Sequence, residues 1–114
     1  MMTAKILLAA VTFTAALAIS RPAAAQDPVA KGAQVYTAQK CQICHAIGGK
    51  GNKQNPLDGV GKKLTADDIR QWITHPAEMT AKTKSTKKPV MPNKYANLPA
   101  ADLDALTAYL ASLK

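Results

Sequence analysis

Apolar positions at helical spacing mark three segments of this chain, and no segment shows the apolar–polar alternation of a half-buried strand. The first segment runs from about Asp27 to Lys40, where Asp27 can serve as the N-cap and Pro28 suits the first helical position. Gly32 lies in the middle of this predicted helix, although glycine there costs about 1 kcal/mol relative to alanine. That cost indicates that another element approaches the backbone closely at Gly32.

The second helix is predicted to begin at Thr65, because residues 65–68 (TADD) resemble a capping box and place two acids at the positive end of the helix dipole. One face of this helix is apolar and consists of Ile69, Trp72 and Ile73. The helix is predicted to end at His75-Pro76, since a residue before proline avoids the helical conformation.

The last helix is predicted from about Pro99 to Leu113, with an apolar stripe that consists of Leu103, Leu106, Leu110 and Leu113. Two segments between the helices are predicted to be irregular loops. Residues 48–63 are rich in Gly, Lys, Asn and Pro, and residues 77–97 form a long basic stretch. Since the chain shows no repeat and no internal linker, the pattern predicts one all-α domain.

Residues 1–25 are predicted to be a cleaved secretory signal peptide. Lys5 supplies a positive start, residues 6–19 are an apolar run of fourteen, and Ala23-Ala24-Ala25 offers a small-residue cleavage site. The run is shorter than the roughly 20 apolar residues that span a bilayer, which argues against a membrane anchor. We therefore expect an exported, soluble domain over residues 26–114, with no transmembrane segment.

Cleavage would leave few large side chains for a core. The remaining aromatic residues are Tyr36, Trp72, Tyr95 and Tyr109. Domains of this size usually depend on disulfides, a metal or a cofactor. The two cysteines can form at most one disulfide, which would close a very short loop and stabilise little. The composition therefore predicts that another bound group fills part of the core.

The charge of residues 26–114 is lopsided, with thirteen basic and seven acidic side chains and a net charge of +6. Basic domains often bind nucleic acid, but an exported protein rarely meets any. An acidic protein partner or a mild attraction to membrane surfaces is the better inference from this charge.

The sequence CQICH at residues 41–45 carries the candidate chemistry, and three kinds of site use such a motif. A thioredoxin-like thiol pair requires a βαβ context, which is not predicted here. Structural zinc requires four ligands, so His75 would have to join, and adjacent Cys44 and His45 rarely face one tetrahedral ion. Haem attachment uses the whole motif, with Cys41 and Cys44 bonded to the porphyrin and His45 on the iron. Haem is therefore favoured over the other two.

A six-coordinate haem needs a second ligand, and the candidates are Met91, Met79 and His75. Met91 is favoured because its flanking prolines in the segment 88–92 (KPVMP) restrict the backbone. Met79 follows a predicted helix end and can instead plug a gap in the core. His75 would give a bis-histidine haem, and it can equally be a surface residue at the end of a helix.

The order of these landmarks resembles that of class I c-type cytochromes, the small soluble monohaem cytochrome c family, across residues 28–114. The landmarks are Gly32, Tyr36, the motif at 41–45, Pro56-Leu57, the segment 69–76 (IRQWITHP), Met91-Pro92 and the segment 106–110 (LTAYL). The resemblance implies a cytochrome c fold in which three to four main helices wrap around one haem c, covalently attached through Cys41 and Cys44.

The resemblance also implies individual roles. Gly32 and Tyr36 should meet Leu106 and Tyr109, where the first and last helices of this family cross. The carbonyl of Pro56 should accept a hydrogen bond from the outer ring N–H of His45, which would orient this ligand. Leu57 and Trp72 should belong to the haem-binding residues, and Trp72 matches a position where the family often has an aromatic residue near the methionine ligand. The chain departs from the family at Asn55, where a glycine is common, and in the longer stretch over residues 76–91.

A haem ligated by His45 and Met91 has no vacant iron position, which favours a periplasmic electron-transfer protein over an enzyme. Two alternatives remain, an electron-transfer subunit of a periplasmic dehydrogenase complex and a peroxidase-like or gas-binding haem protein with a labile sixth ligand. We expect a monomer that docks on an acidic face of redox partner proteins. The candidate contacts near Met91 are Lys82, Lys84, Lys87 and Lys88.

Overall fold

A computed structural model describes residue 16 and residues 27–114 of the chain. Apart from residue 16, the predicted signal peptide lies outside the described residues. In chain order the elements are α1 (Pro28–Ala38), a 3₁₀ turn (Cys41–Ile43), β1 (Ala46–Ile47), β2 (Lys50–Gly51), α2 (Val60–Lys63), α3 (Ala66–Thr74), α4 (Pro76–Thr83), a second 3₁₀ turn (Asn93–Asn97) and α5 (Ala100–Ala111). The predicted all-α class is confirmed, and no described helix has the length and apolar character needed to cross a bilayer.

The starts of two helices follow the local signals in the sequence. The Asp27 carboxylate accepts a hydrogen bond from the Val29 backbone N–H at 3.1 Å, and Pro28 is the first residue of α1. At the start of α3, Thr65 and Asp68 form the predicted reciprocal capping box. Both helices are therefore capped by their own side chains, which satisfies donors that a helix start leaves open.

The crossing of α1 and α5 organises the core. Gly32 lies directly against the backbone of Ala105 and the Cβ of Tyr109, so a side chain at position 32 would collide with α5. The rings of Tyr36 and Tyr109 also pack in an edge-to-face arrangement, with 6.0 Å between the ring centroids. The buried cluster around this crossing consists of Val35, Tyr36, Ile69, Ile73, Leu106 and Leu110. The predicted close approach at Gly32 is confirmed, with Ala105 rather than Leu106 against the glycine.

The prediction of an irregular loop over residues 77–97 is wrong. Pro76 does end α3, but it also occupies the first position of α4, where its missing N–H and fixed φ favour a new helix. Glu78 lies in the first turn of α4, where an acidic side chain is favourable. Met79 of the same helix is buried, so α4 packs against the rest of the fold. A second helical turn, Asn93–Asn97, follows Met91.

The other predicted loop, residues 48–63, also contains regular structure. β1 and β2 pair as a two-residue antiparallel hairpin, and α2 forms one helical turn. Gly61 in α2 lies against the backbone of Ala111, and its N–H donates to the Leu113 carbonyl at 2.8 Å. These elements depend on contacts with distant parts of the chain, which periodicity does not report.

Candidate functional site

One cavity of about 440 Å³ opens beside the motif at residues 41–45. This volume lies within the range of roughly 300–1,000 Å³ that is usual for cofactor and ligand pockets. Its walls include residues of α1, α3 and α5 and of the segment that precedes the second 3₁₀ turn. Of the predicted site residues, the cavity brings together Cys41, Cys44, His45, Leu57, Trp72 and Met91. Pro56 is not part of its wall.

A tight turn places the two cysteines and the histidine on the same cavity. The Cys41 carbonyl accepts hydrogen bonds from the backbone N–H of Cys44 at 3.2 Å and from that of His45 at 3.0 Å. The Cys41 side chain is half-buried, whereas Cys44 is exposed, and both thiols are free. The turn therefore presents two sulfur atoms and one imidazole to a shared apolar space.

The ring of His45 is oriented by the backbone. Its Nδ1 lies 3.1 Å from the carbonyl oxygen of Asn55, and a carbonyl can only accept a hydrogen bond. Nδ1 therefore carries the proton, and the lone pair of Nε2 is left for a metal. Burial lowers the pKa of His45, and the bond to Asn55 opposes this shift only in part, so the buried environment favours the neutral ring.

The predicted role of the Pro56 carbonyl is wrong, since Asn55 supplies the acceptor. The reason is a parallel bridge between Ala46 and Pro56. In this bridge the Asn55 carbonyl accepts from the Ala46 N–H at 3.3 Å, while the Leu57 N–H donates to the Ala46 carbonyl at 2.8 Å. The Asn55 carbonyl is therefore fixed beside the motif. Pro56 contributes by its position in the bridge rather than by its own oxygen.

The environment of Cys41 argues against a thiol redox switch. Burial raises the pKa of the Cys41 thiol to about 11. Reactive cysteines depend on a lowered pKa, because the thiolate is the nucleophile. The arrangement keeps Cys41 protonated at neutral pH, unlike the attacking thiol of a disulfide oxidoreductase.

The zinc interpretation lacks its fourth ligand. His75 is exposed at the end of α3, where its Nδ1 lies 2.8 Å from the Thr74 hydroxyl, and it does not line the cavity. Within the described residues, no group of three or more His, Cys, Asp and Glu side chains is arranged to hold a metal ion. Because His75 does not line the cavity, the structure also does not support it as the second haem ligand.

The two candidate methionines occupy different environments. Met91 lines the cavity together with its neighbours Val90 and Pro92. Met79 is only 7% exposed, packs in α4 and does not line the cavity. Of the two thioethers, the structure therefore brings Met91 together with His45.

The predicted lysines divide into two groups. Lys87 lines the cavity, and its Nζ donates to the Gln54 carbonyl at 3.3 Å, while Lys88 lines an adjacent smaller cavity of about 140 Å³. Lys82 and Lys84 are exposed on α4 and its C-cap and line neither cavity. Sequence reasoning missed two further lysines on the main cavity, Lys40 and Lys94. Within residues 27–114, the walls of both cavities contain no aspartate or glutamate.

The donor set of the main cavity suits a haem. Two free thiols lie beside an imidazole whose outer nitrogen is already bonded, and the side chain of Met91, a thioether, lines the same cavity. The rest of the wall is largely apolar, with large side chains such as Trp72 and Ile73 from α3 and Leu106 and Leu110 from α5. An apolar pocket with a few convergent polar groups is what cofactor binding requires. The residues present therefore fit a covalently attached haem.

Comparisons with known proteins agree with this chemistry. Searches of curated proteins and of solved structures found no significant match. The family model described as Cytochrome c matches residues 29–114, about three quarters of the chain. Together with the helical fold and the CQICH motif, this match shows that the chain belongs to the cytochrome c family, whose members transfer electrons through a bound haem.

Proposed function

We propose that this protein is a periplasmic carrier of single electrons that holds one haem c through Cys41 and Cys44, with His45 and Met91 as the axial ligands. The observation that carries the proposal is that these four side chains lie on the walls of one cavity. The bound haem would supply the one-electron chemistry, and the protein would supply its position and electrostatics. The periplasmic location rests on the signal peptide predicted at residues 1–25 and on haem attachment outside the bacterial cytoplasm.

The protein's own residues define what such a site can do. The Asn55 carbonyl holds the His45 ring in one orientation, so oxidation and reduction need little rearrangement on this side. Apolar side chains of α3 and α5 line the cavity and would shield a bound haem from water. Burial of the haem and a thioether ligand from Met91 would both favour the reduced state and so raise the reduction potential. With His45 and Met91 as its ligands, a bound haem would relay electrons and would leave no position for a substrate.

The proposed ligand is tested by a matched pair of methionine variants. In the holoprotein, Met91→Leu should open the sixth position, so that the ferrous form binds carbon monoxide readily and the reduction potential falls. Met79→Leu should behave like the unsubstituted protein, because Met79 packs away from the cavity. Met-to-Leu changes conserve volume and usually cost less than about 1.5 kcal/mol, so both variants should fold. Optical titration of each ferrous protein with carbon monoxide is the measurement.

Two results of this titration would contradict the proposal. If Met79→Leu binds carbon monoxide and Met91→Leu resists it, Met79 is the ligand. If the unsubstituted ferrous protein binds carbon monoxide as readily as Met91→Leu, the sixth position is labile, and a gas-binding or peroxidase-like function is favoured.

Redox partners are proposed to dock at the mouth of the cavity. Among large apolar side chains of the described residues, Ile43 is 65% exposed and Val90 is 39% exposed, and both line the cavity. Of the proposed contacts, Lys87 lines the same cavity as this apolar pair, and Lys88 lines the adjacent smaller cavity. Lys82 in α4 and Lys84 at its C-cap line neither cavity and can contribute only at longer range. An acidic partner face with a small apolar centre complements this surface.

The lysines are tested by their effect on electron transfer to an anionic oxidant. The rate at which hexacyanoferrate(III) oxidises the ferrous holoprotein should fall as ionic strength rises, because salt screens exposed charges beyond about 10 Å at 0.1 M. Lys87→Gln/Lys88→Gln should lower the low-salt rate by roughly two- to tenfold. Lys62→Gln/Lys63→Gln removes the same charge from exposed positions of α2 that line neither cavity and should have a smaller effect. Equal effects of the two double variants in stopped-flow measurements would show that net charge alone acts.

A further inference from the structure

Tyr36 is an unusual buried polar group of this fold. Its side chain is only 7% exposed, and it lines the main cavity from α1. Its ring and that of Tyr109 form an edge-to-face pair. Within residues 27–114, the Tyr36 hydroxyl is fully buried and has no hydrogen-bond partner. Buried polar groups are nearly always paired, and an unpaired one carries the full cost of losing its water, so this hydroxyl needs an explanation.

Packing alone does not explain the hydroxyl. The buried neighbours of Tyr36 in the core cluster, such as Val35, Leu106 and Leu110, are apolar, and phenylalanine would pack on Tyr109 with the same ring. The hydroxyl can act as a donor at any physiological pH, because burial, together with the nearby Cys41, Tyr109 and Asp58, raises the pKa of Tyr36 to about 12. However, none of the described residues accepts a hydrogen bond from this hydroxyl.

We propose that the Tyr36 hydroxyl donates a hydrogen bond to the sulfur of Cys41, which packs against the cluster that contains Tyr36, once this sulfur is bonded to haem, and that this bond raises the reduction potential. This inference rests on the proposed function, since it assumes that haem is bonded to Cys41. A cysteine sulfur in a thioether has lost its proton and can only accept a hydrogen bond. An O–H dipole with its positive end toward the haem stabilises the form that carries one more electron.

The test is the reduction potential of two tyrosine variants of the holoprotein. Tyr36→Phe should lower the equilibrium constant for reduction about threefold, which is about 28 mV at 59 mV per tenfold change for one electron. Tyr109→Phe is the matched control, because Tyr109 packs against the same ring but does not line the cavity. It should leave the potential unchanged.

A second measurement separates tuning from packing. If the Tyr36 hydroxyl acts on the haem, Tyr36→Phe should reduce the free energy of unfolding more in the ferrous protein than in the ferric protein. A purely structural hydroxyl would affect both oxidation states equally and leave the potential unchanged, and this result would overturn the inference. It would leave the proposed function intact, whereas an unsubstituted protein that carries no covalent haem would overturn both.

Discussion

Replacement of both Cys41 and Cys44 by alanine should give a protein without covalent haem that no longer folds stably. The reason is the cavity of about 440 Å³ inside a small domain. Without a bound group, the apolar side chains that line this cavity would stay exposed to water, and the stabilisation from burying them would be lost. Small domains have only about 5–15 kcal/mol of total stability. The contacts that a bound group makes with the cavity walls therefore decide whether this chain folds.

The double variant is checked by intact mass, by haem staining after denaturing electrophoresis and by circular dichroism. Ile43→Ala is a suitable control, because Ile43 lies between the cysteines but is 65% exposed, so this variant should retain haem and fold. Each single cysteine variant keeps one attachment point and should lie between these extremes. A haem-free double variant that is as stable as the unsubstituted protein would contradict the role of the bound group in the core.

Helix starts were predictable because their signals are local. The Asp27 cap, Pro28 and the Thr65–Asp68 capping box each involve residues within one helical turn, and all three occur as expected. The helix α4 was missed because Pro76 was interpreted only as a stop. Its second property, a favourable first position of a new helix followed by Glu78, was present in the sequence as well. The missing information was that Met79 has a core to pack against.

The sequence predicted the site best for the residues of the motif itself. It predicted less well the residues that other segments of the chain bring to the motif. Cys41, Cys44 and His45 of the motif line one cavity together with Trp72 and Met91. The acceptor for His45 was assigned one residue too late, because the bridge between Ala46 and Pro56 sets the register of that loop. Lys94 carries no local signal, since only the fold brings it to the cavity, and no local pattern indicates that the Tyr36 hydroxyl is buried without a partner.

Substitution of Gly32 should destabilise the holoprotein even when the new residue is a better helix former. In an isolated helix, Gly32→Ala would gain about 1 kcal/mol. In this fold the added Cβ would fall on the backbone carbonyl of Ala105, which cannot turn away as a flexible side chain can. Overpacking usually costs about 1–3 kcal/mol, and a clash with backbone lies at the upper end. We therefore expect a net loss of about 1–2 kcal/mol for Gly32→Ala and a larger loss for Gly32→Val.

Denaturant and thermal unfolding of the holoprotein provide the measurement, with Ala30→Val as the control. Ala30 lies two residues earlier in α1 and is exposed, so valine there should cost only the helix propensity, about 0.5 kcal/mol. A loss of 1 kcal/mol corresponds to about 4–8 °C in Tm for a domain of this size, so Gly32→Ala and the control are readily distinguished. If Gly32→Ala has a higher Tm than the unsubstituted protein, the gain in helix propensity outweighs the cost of the contact between the new Cβ and Ala105. The crossing of α1 and α5 would then be looser than the approach of Gly32 to Ala105 indicates.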